Sequence, residues 1–514
     1  MRLRISHLVL IVLAWGLVTL PGLTSAGGTG LTMSEGHRVV PALEMLETGE
    51  WLVPHMFGQA YLRKPPGGIW AFAAMIGVTG DHVLGPRLAS AGGFLLLALG
   101  SWWFGRRWFG DVGGLAAGLA TVLTPMLWNP ARAAELESLN NVFAAMAAWT
   151  AVEIVTQRAC RPNLAMLVLG GFVAAQMLVK GPAGLPALGG VLVGAAWAGR
   201  SWRPLIAWRA WVGFALGVLV FVGVWLAIEG RVRGSGLEPV RQLPSAFLFE
   251  PGKLLDLAAF GPLVFLAAMP LALAGLFPWG PDARAEAEKG GRDEARRLHM
   301  ARVLTLGVVS GAGLMLLVGV SNPRYAQPVI ATLGPLAGWA VASMSAGGSF
   351  RDHRRRIGRF MTLGEPRVLG VVLLAGALVF AFNVQSRKRA SSGEPAGRAA
   401  AAAMIDELRR ASAAGPVVLA ADGVIEARPE ILLAFRAEAA RLGVVVDVVW
   451  IPQISQIAPF NKDGSLAQSL STDVQFVVLR DDRGGAEVGP FSEWVPLHRD
   501  AAHKFVFEWR ARPR

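Results

Sequence analysis

A single cysteine, Cys160, among 514 residues excludes a disulfide within the chain and any thiolate metal cluster. The eight histidines are scattered, with no HxxxH or HExxH spacing. No cofactor is therefore indicated by the sequence, and a divalent cation stays open without any residue pattern to support it. Charge is also scarce. Charged residues make up 17% of the chain against 53% hydrophobic residues, a balance that puts most of the chain in a membrane rather than in water. The net charge of +13 is not gathered into a tail or stripe. The arginines lie in short loops between apolar runs, so a nucleic-acid partner is not indicated.

What is present is a succession of apolar runs near the ~20 residues that cross a bilayer core. The fold class expected is a polytopic α-helical membrane protein. Eleven spans are expected, near 6–23, 88–104, 113–129, 139–156, 164–179, 183–199, 210–228, 257–279, 303–320, 326–345 and 368–383. The apolar piece from Gly67 to Gly80 is short and broken by glycine, and reads as re-entrant or interfacial. Charge bias supports this threading. Arg106-Arg107, Arg158 with Arg161, Arg200 with Arg203, the Arg-rich 281–302 loop and Arg351 with Arg354–Arg356 all fall on the side of the N-terminus, the cytoplasmic one. Arg387-Lys388-Arg389 falls on the other side, against the rule. The N-terminal apolar run reads either as a first span or as a signal peptide, with Thr24-Ser25-Ala26 as its cleavage site.

Two parts are expected: a membrane domain over 1–385 and a small external α/β domain over 386–514. In the second part VVLAA, VVVDVVW, VQFVVL and KFVFEW read as strands, with an amphipathic helix from Pro429 to Leu442 between the first two. No catalytic motif stands out there.

The most informative stretch is the first external loop, Ser34 to Pro66. It opens on Ser34-Glu35, continues as an amphipathic helix, turns at Thr48-Gly49, and closes on Tyr61-Leu62-Arg63-Lys64-Pro65-Pro66. A paired proline after Tyr61 and Lys64 stiffens the backbone there. Further along, Arg87 opens the second span in Pro86-Arg87-Leu88. Arg132 and Glu137 stand five apart before the fourth span. Lys180-Gly181-Pro182 separates two apolar runs, and Arg324-Tyr325 precedes the tenth span. In this threading these charged residues all lie on the outer side.

This set of motifs resembles the membrane glycosyltransferases that use polyprenyl-phosphate sugars, the protein O-mannosyltransferase and aminoarabinose-transferase relatives of the GT-C superfold. The resemblance covers about residues 30–345. It implies a retained first helix, a large first external loop, and an enzyme of the cytoplasmic (inner) membrane with its active site on the periplasmic or external side, where the threading also puts the C-terminal domain. The implied partners are a polyprenyl-phosphate sugar donor, a lipid, glycan or protein acceptor, and membrane lipids. The implied donor-phosphate residues are Tyr61, Lys64, Lys180, Arg324 and Tyr325. A carboxylate must accept the acceptor's proton. Relatives open the loop with Asp-Glu, whereas Ser34-Glu35 stands here, and serine cannot serve as that base.

Three readings stay open: Glu35 is the base, Glu137 is the base, or transfer has been lost and the protein binds polyprenyl phosphate without turnover. Without the resemblance, Glu35 and Glu137 read as acids favoured by a helix N-terminus, and Lys64 as a cation snorkelling to the membrane surface. Ser34, His37, where relatives often carry arginine, Arg87 and Arg132 are expected to support the site. A secondary transporter is the remaining class. The near absence of charge within the spans counts against it.

Overall fold

A computed structural model describes residues 2–21, 23, 33–56, 59–235, 291–317 and 322–345, five strands between 417 and 511, and scattered positions at 268–279, 320 and 433–443. The membrane part is helical. Helix α1 (Arg2–Thr19) leads to the first loop, which holds α2 (Met33–Thr48) and a two-strand hairpin, β1 (His55–Met56) and β2 (Gln59–Ala60). Then follow α3 (Gly67–Thr79), α4 (Leu84–Val122), α5 (Pro125–Ala131), α6 (Leu136–Val155), α7 (Pro162–Lys180), α8 (Leu185–Gly199) and α9 (Trp208–Ser235). After a gap come α10 (Gly291–Leu317), α11 (Gln327–Ile330) and α12 (Gly334–Ser345). Among the described residues, five helical segments are long and apolar enough to cross a membrane. The chain is a multi-pass membrane protein.

The two longest segments turn back on themselves. A straight helix of 39 residues would run ~58 Å, about twice the bilayer core. In α4 the ladder breaks at Gly110 (φ 82°, ψ −178°). Beyond the break, Gly114 and Gly118 lie against Trp102, and Gly105 against Ala117. The expected spans 88–104 and 113–129 are thus the arms of one hairpin. The second arm stops at Val122, because Pro125 opens a new short helix instead of extending the old one. The other long segment breaks at Gly181 (φ +64°), which separates α7 from α8.

Three further expectations meet the structure differently. Helix α10 starts at Gly291, well before 303. Its first turns carry Asp293, Glu294, Arg296 and Arg297, with Glu294 paired to Arg297 at 3.2 Å, so a stretch that reads as a charged loop is helix. The 326–345 run is not one helix, since Pro328 and Pro335 cut it into α11, a 3₁₀ turn at Ala331–Leu333, and α12. Gly67–Thr79 is a short apolar helix of 13 residues. The expected span 368–383 lies outside the described residues, and 257–279 almost entirely so.

Lipid offers no hydrophobic drive for helix pairing, so small residues at the interfaces set how closely the helices approach. Gly190 and Gly194 of α8 face Gly307 and Gly311 of α10. A Cβ on Gly190 would stand 2.3 Å from the Gly307 carbonyl oxygen, and one on Gly194 would stand 2.4 Å from the Gly307 nitrogen. Gly338 of α12 meets Gly113 of α4 in the same way, at 2.1 Å. Gly190→Leu is expected to prevent accumulation of folded protein, because backbone on the far side cannot yield. Fluorescence-detected size exclusion of the tagged protein checks this, with Gly171→Leu, which has open space around it, as the tolerated control.

One end of the bundle gathers the basic loops. The Arg107 Nη2 donates to the Arg158 carbonyl oxygen at 2.8 Å, and the Arg158 Nη2 donates back to that of Arg107 at 2.7 Å. Between them Glu153, buried, accepts from Arg107 Nε and from Trp108 Nε1. Two loops that charge bias assigns to one side therefore interlock.

The C-terminal strands, β3 (Val417–Asp422), β4 (Val446–Ile451), β5 (Phe476–Asp481), β6 (Val495–Ala502) and β7 (Phe505–Ala511), form one sheet in the order β4-β3-β5-β7-β6. Strand β3 runs parallel to β4 and β5, while β7 is antiparallel to β5 and β6. Strand β6 is not expected from the sequence. Its Pro496 and the His-Arg-Asp run hide the alternation, and it lies at the sheet edge, where proline is tolerated. An ion pair between Arg436 and Glu47 joins this part to α2.

Candidate functional site

The first loop delivers its side chains through α2, which carries an acid, Glu35, in its first turn. The loop is held from several directions. The Trp70 indole donates to the Trp51 carbonyl oxygen at 2.6 Å, the Tyr61 amide donates to that of Pro54 at 2.7 Å, and Val53, Ala60 and Leu62 pack on Ile228 and Val232 of α9. The His37 ring stacks on Tyr61 with centroids 6.1 Å apart, joining α2 to the segment that follows β2. Burial, with Arg63 and Arg38 nearby, lowers the His37 pKa to about 4. This imidazole is neutral at pH 7.

Glu35 departs from the expectation of a base facing the acceptor. It is buried, and its two oxygens accept from Arg87 Nε at 2.7 Å and Arg87 Nη2 at 3.2 Å. The first oxygen also accepts the Ala134 amide at 3.0 Å, and Arg87 Nη1 donates to the Leu23 carbonyl oxygen at 3.1 Å. Such a carboxylate ties α2 to α4 and to the loop before α6. Arg132 has a similar placement, donating to the Pro21 carbonyl at the end of α1. Ser34 is half-buried one residue before Glu35.

The charges that converge lie a turn further along α2. Arg38 pairs with Glu135 and approaches Glu137 at 3.9 Å. Lys180, last residue of α7, pairs with Glu137 at 3.0 Å. Arg324, in the 3₁₀ turn Pro323–Ala326, donates through Nε to Glu137 and through Nη2 to Glu135, each at 2.5 Å. Asn322 fixes that turn by accepting the Arg324 amide at 3.0 Å. The Lys180 ammonium also sits 5.3 Å from the centre of the Tyr325 ring. The Arg324 side chain keeps 42% of its surface exposed, whereas Glu137 keeps 3%. The cluster is therefore buried on one side and open on the other.

Lys64 completes it. Half-buried just before Pro65-Pro66, its ammonium forms no hydrogen bond or ion pair among the described residues. Burial, then Lys180, Arg38 and Arg324, push its pKa below the ordinary lysine value, with Glu137 opposing. Glu135 shifts upward. Burial raises its carboxyl to about 7, Glu137 adds to this, and Arg38 and Arg324 oppose it. Among the described residues no three His, Cys, Asp or Glu side chains are grouped to hold a metal ion.

The structure thus brings together Lys64, Glu137, Lys180, Arg324 and Tyr325, with Tyr61 and His37 stacked on the same loop. It sets Glu35, Arg87 and Arg132 apart in a buried brace. Arg38 and Glu135 are the residues that reading the sequence missed. Arg38 lies next to His37, where the loop's basic position was expected, and Glu135 lies two before Glu137. In both cases helical or extended geometry, not residue type, selects which neighbour faces inward.

Residues 63–226 match the dolichyl-phosphate-mannose-protein mannosyltransferase family model. Among curated relatives, an undecaprenyl phosphate-alpha-4-amino-4-deoxy-L-arabinose arabinosyl transferase of Pseudomonas savastanoi pv. phaseolicola is 46% identical over 48 residues, 9% of each chain. The second such transferase of Pseudomonas fluorescens Pf-5 is 37% identical over 105 residues, 20% of this chain and 18% of that protein. The matched stretches thus span less than a fifth of these relatives' lengths. In fold, the chain is similar to ArnT from Cupriavidus metallidurans bound to undecaprenyl phosphate, with a TM-score of 0.64 at 17% identity over 98% of this chain and 97% of that one. The apo state of the same protein aligns with a TM-score of 0.61 over the same shares at 17% identity. The resemblance to the polyprenyl-phosphate-sugar glycosyltransferases of the GT-C superfold is borne out.

Proposed function

We propose that this protein is an integral-membrane glycosyltransferase that moves a sugar from a polyprenyl-phosphate donor to a lipid, glycan or protein acceptor at the outer face of the cytoplasmic membrane. The observation that carries the reading is the charge cluster. Four cations, Arg38, Lys64, Lys180 and Arg324, surround two carboxylates, Glu135 and Glu137. Four less two leaves two positive charges, and Lys64 is the cation not paired among the described residues. A phosphodiester donor brings one negative charge, and the departing polyprenyl phosphate brings up to two. Cations held in place before the charge develops favour that departure.

In this reading Lys64 is the first contact for the phosphate, and Arg324 offers a planar guanidinium to it. Lys180, oriented by Glu137 and Tyr325, supplies a second ammonium, and Tyr61 with His37 holds the loop in register. Glu35 and Arg87 position α2. The site gathers at the bundle end away from the interlocked basic loops, which suits an external, periplasmic site. The named activities of the relatives support a lipid-linked sugar donor, with aminoarabinose and mannose as the two sugars to try first.

The test is transfer by purified protein from radiolabelled polyprenyl-phosphate sugars, including undecaprenyl-phosphate aminoarabinose and polyprenyl-phosphate mannose, with lipopolysaccharide, glycan and peptide acceptors. Sugar transfer or release is expected for at least one donor. Donor binding without turnover under every acceptor would instead identify a lipid-binding, inactive relative, consistent with Ser34. No binding of any donor would overturn the reading.

A further inference from the structure

The acceptor's proton needs a destination, and the carboxylates near the cation cluster are not equally able to receive it. Ser34 has no carboxyl group. Glu35 has its oxygens engaged by Arg87 and the Ala134 amide. Glu137 carries Lys180 and Arg324 on one oxygen. Its other oxygen, 3.9 Å from Arg38, makes no hydrogen bond among the described residues but is more deeply buried than Glu135, with 3% of the side chain exposed against 10%. We infer that Glu135 is the general base of this site, an assignment that rests on the glycosyl-transfer reading above.

The placement of Glu135 is firm. It stands in extended conformation (φ −110°, ψ 136°) just before α6. Its amide donates to the Ser90 hydroxyl at 3.1 Å, and its carbonyl oxygen accepts from that hydroxyl at 2.9 Å. Its side chain, nine-tenths buried, is held from fixed backbone beside the half-exposed Arg324, and one oxygen bridges Arg38 of α2 and Arg324 of the 323–326 turn. Both guanidiniums are groups that an arriving phosphate attracts, so the donor loosens their hold on this carboxylate.

The charged groups around Glu135 are Arg38 from α2, Glu137 from α6, Arg324 from its turn, and Lys180 and Lys64 nearby. Their balance, with burial, leaves its pKa at about 7. A base with a pKa near the working pH is present in the needed form and still has affinity for the proton.

The acceptor hydroxyl gives its proton to the Glu135 carboxylate, and the oxygen's electron pair forms the bond to the sugar's anomeric carbon. The bond from that carbon to the phosphate oxygen breaks, and its pair leaves with the polyprenyl phosphate, whose added charge meets Lys64, Lys180 and Arg324. Glu135 then returns its proton to solvent.

The test uses full-length protein in detergent and the polyprenyl-phosphate sugar that wild type turns over. Glu135→Gln is expected to lower kcat about 10²–10⁴-fold. Binding of undecaprenyl phosphate, which also reports that the variant is folded, should stay within about threefold of wild type, one contact's worth at most. Wild-type kcat/KM should rise with pH through a limb near 7, and Glu135→Asp should keep part of the turnover with that limb displaced. Wild-type turnover in Glu135→Gln would overturn the assignment. Loss of lipid binding together with turnover, or an unmoved limb in Glu135→Asp, would also overturn it, since either marks a structural role. A wild type that binds no donor would take down the glycosyltransferase reading, and this assignment with it.

Discussion

Lys64→Ala is expected to weaken donor binding about 100-fold, ~3 kcal/mol, the upper range for a hydrogen bond to a charged group, and to leave the fold intact. The physical reason is asymmetry. Lys64 has no pairing to lose among the described residues, and Lys180, Arg38 and Arg324 already disfavour its charge. Removing it relieves repulsion inside the protein but takes away the one cation not already committed there. Its neighbour in the cluster behaves differently. Lys180→Ala leaves Glu137, buried, with one cation fewer, so stability and binding should fall together. Titration of undecaprenyl phosphate into both variants, alongside their thermal transitions, separates the two cases. Wild-type affinity in Lys64→Ala would remove Lys64 from the phosphate site.

The second large effect lies in the brace. Glu35→Ala is expected to cost about 3–5 kcal/mol, because it strands a guanidinium in a buried place. Both Arg87 and Glu35 have about 1% of their surface exposed, so water cannot compensate. A carboxylate acting only on substrate would give the opposite pattern, with turnover lost and melting temperature kept. Replacing both partners, as Glu35→Leu with Arg87→Met, should recover much of the stability, since two apolar groups of similar size leave no unpaired charge. Failure of the pair to recover anything, with Glu35→Ala melting like wild type, would show that the brace is not structural.

Much of this was legible in the sequence. The motif stretch from Ser34 to Pro66 announced the loop, and Lys64, Glu137, Lys180, Arg324 and Tyr325 do converge although up to 261 positions, Lys64 to Tyr325, separate them. What stayed hidden was partnership. Glu35 and Glu137 look alike in sequence, each an acid at the start of a helix. Only the position of Arg87, delivered by α4, makes one of them a brace. Glu135 was passed over because Glu137, not Glu135, stands five residues after Arg132. Helix ends misread for a related reason. Gly110, Pro125 and Pro328 act through the backbone, and an apolar count does not register them. The charged first turns of α10 hide a helix inside what composition calls a loop.

The cation cluster draws its members from α2, from the bend between β2 and α3, from the end of α7, and from a turn at Arg324. A ribosome delivers these in order, with Arg324 last among them. During synthesis the first loop is made long before the guanidinium that spans Glu135 and Glu137, since chains build from the N-terminus. Until then the two carboxylates lack their shared clasp. A nascent chain halted before residue 324 therefore carries the matched 63–226 segment yet has no complete cation cluster. Under the proposed function, a donor would meet the whole cluster only after the chain has threaded its later helices.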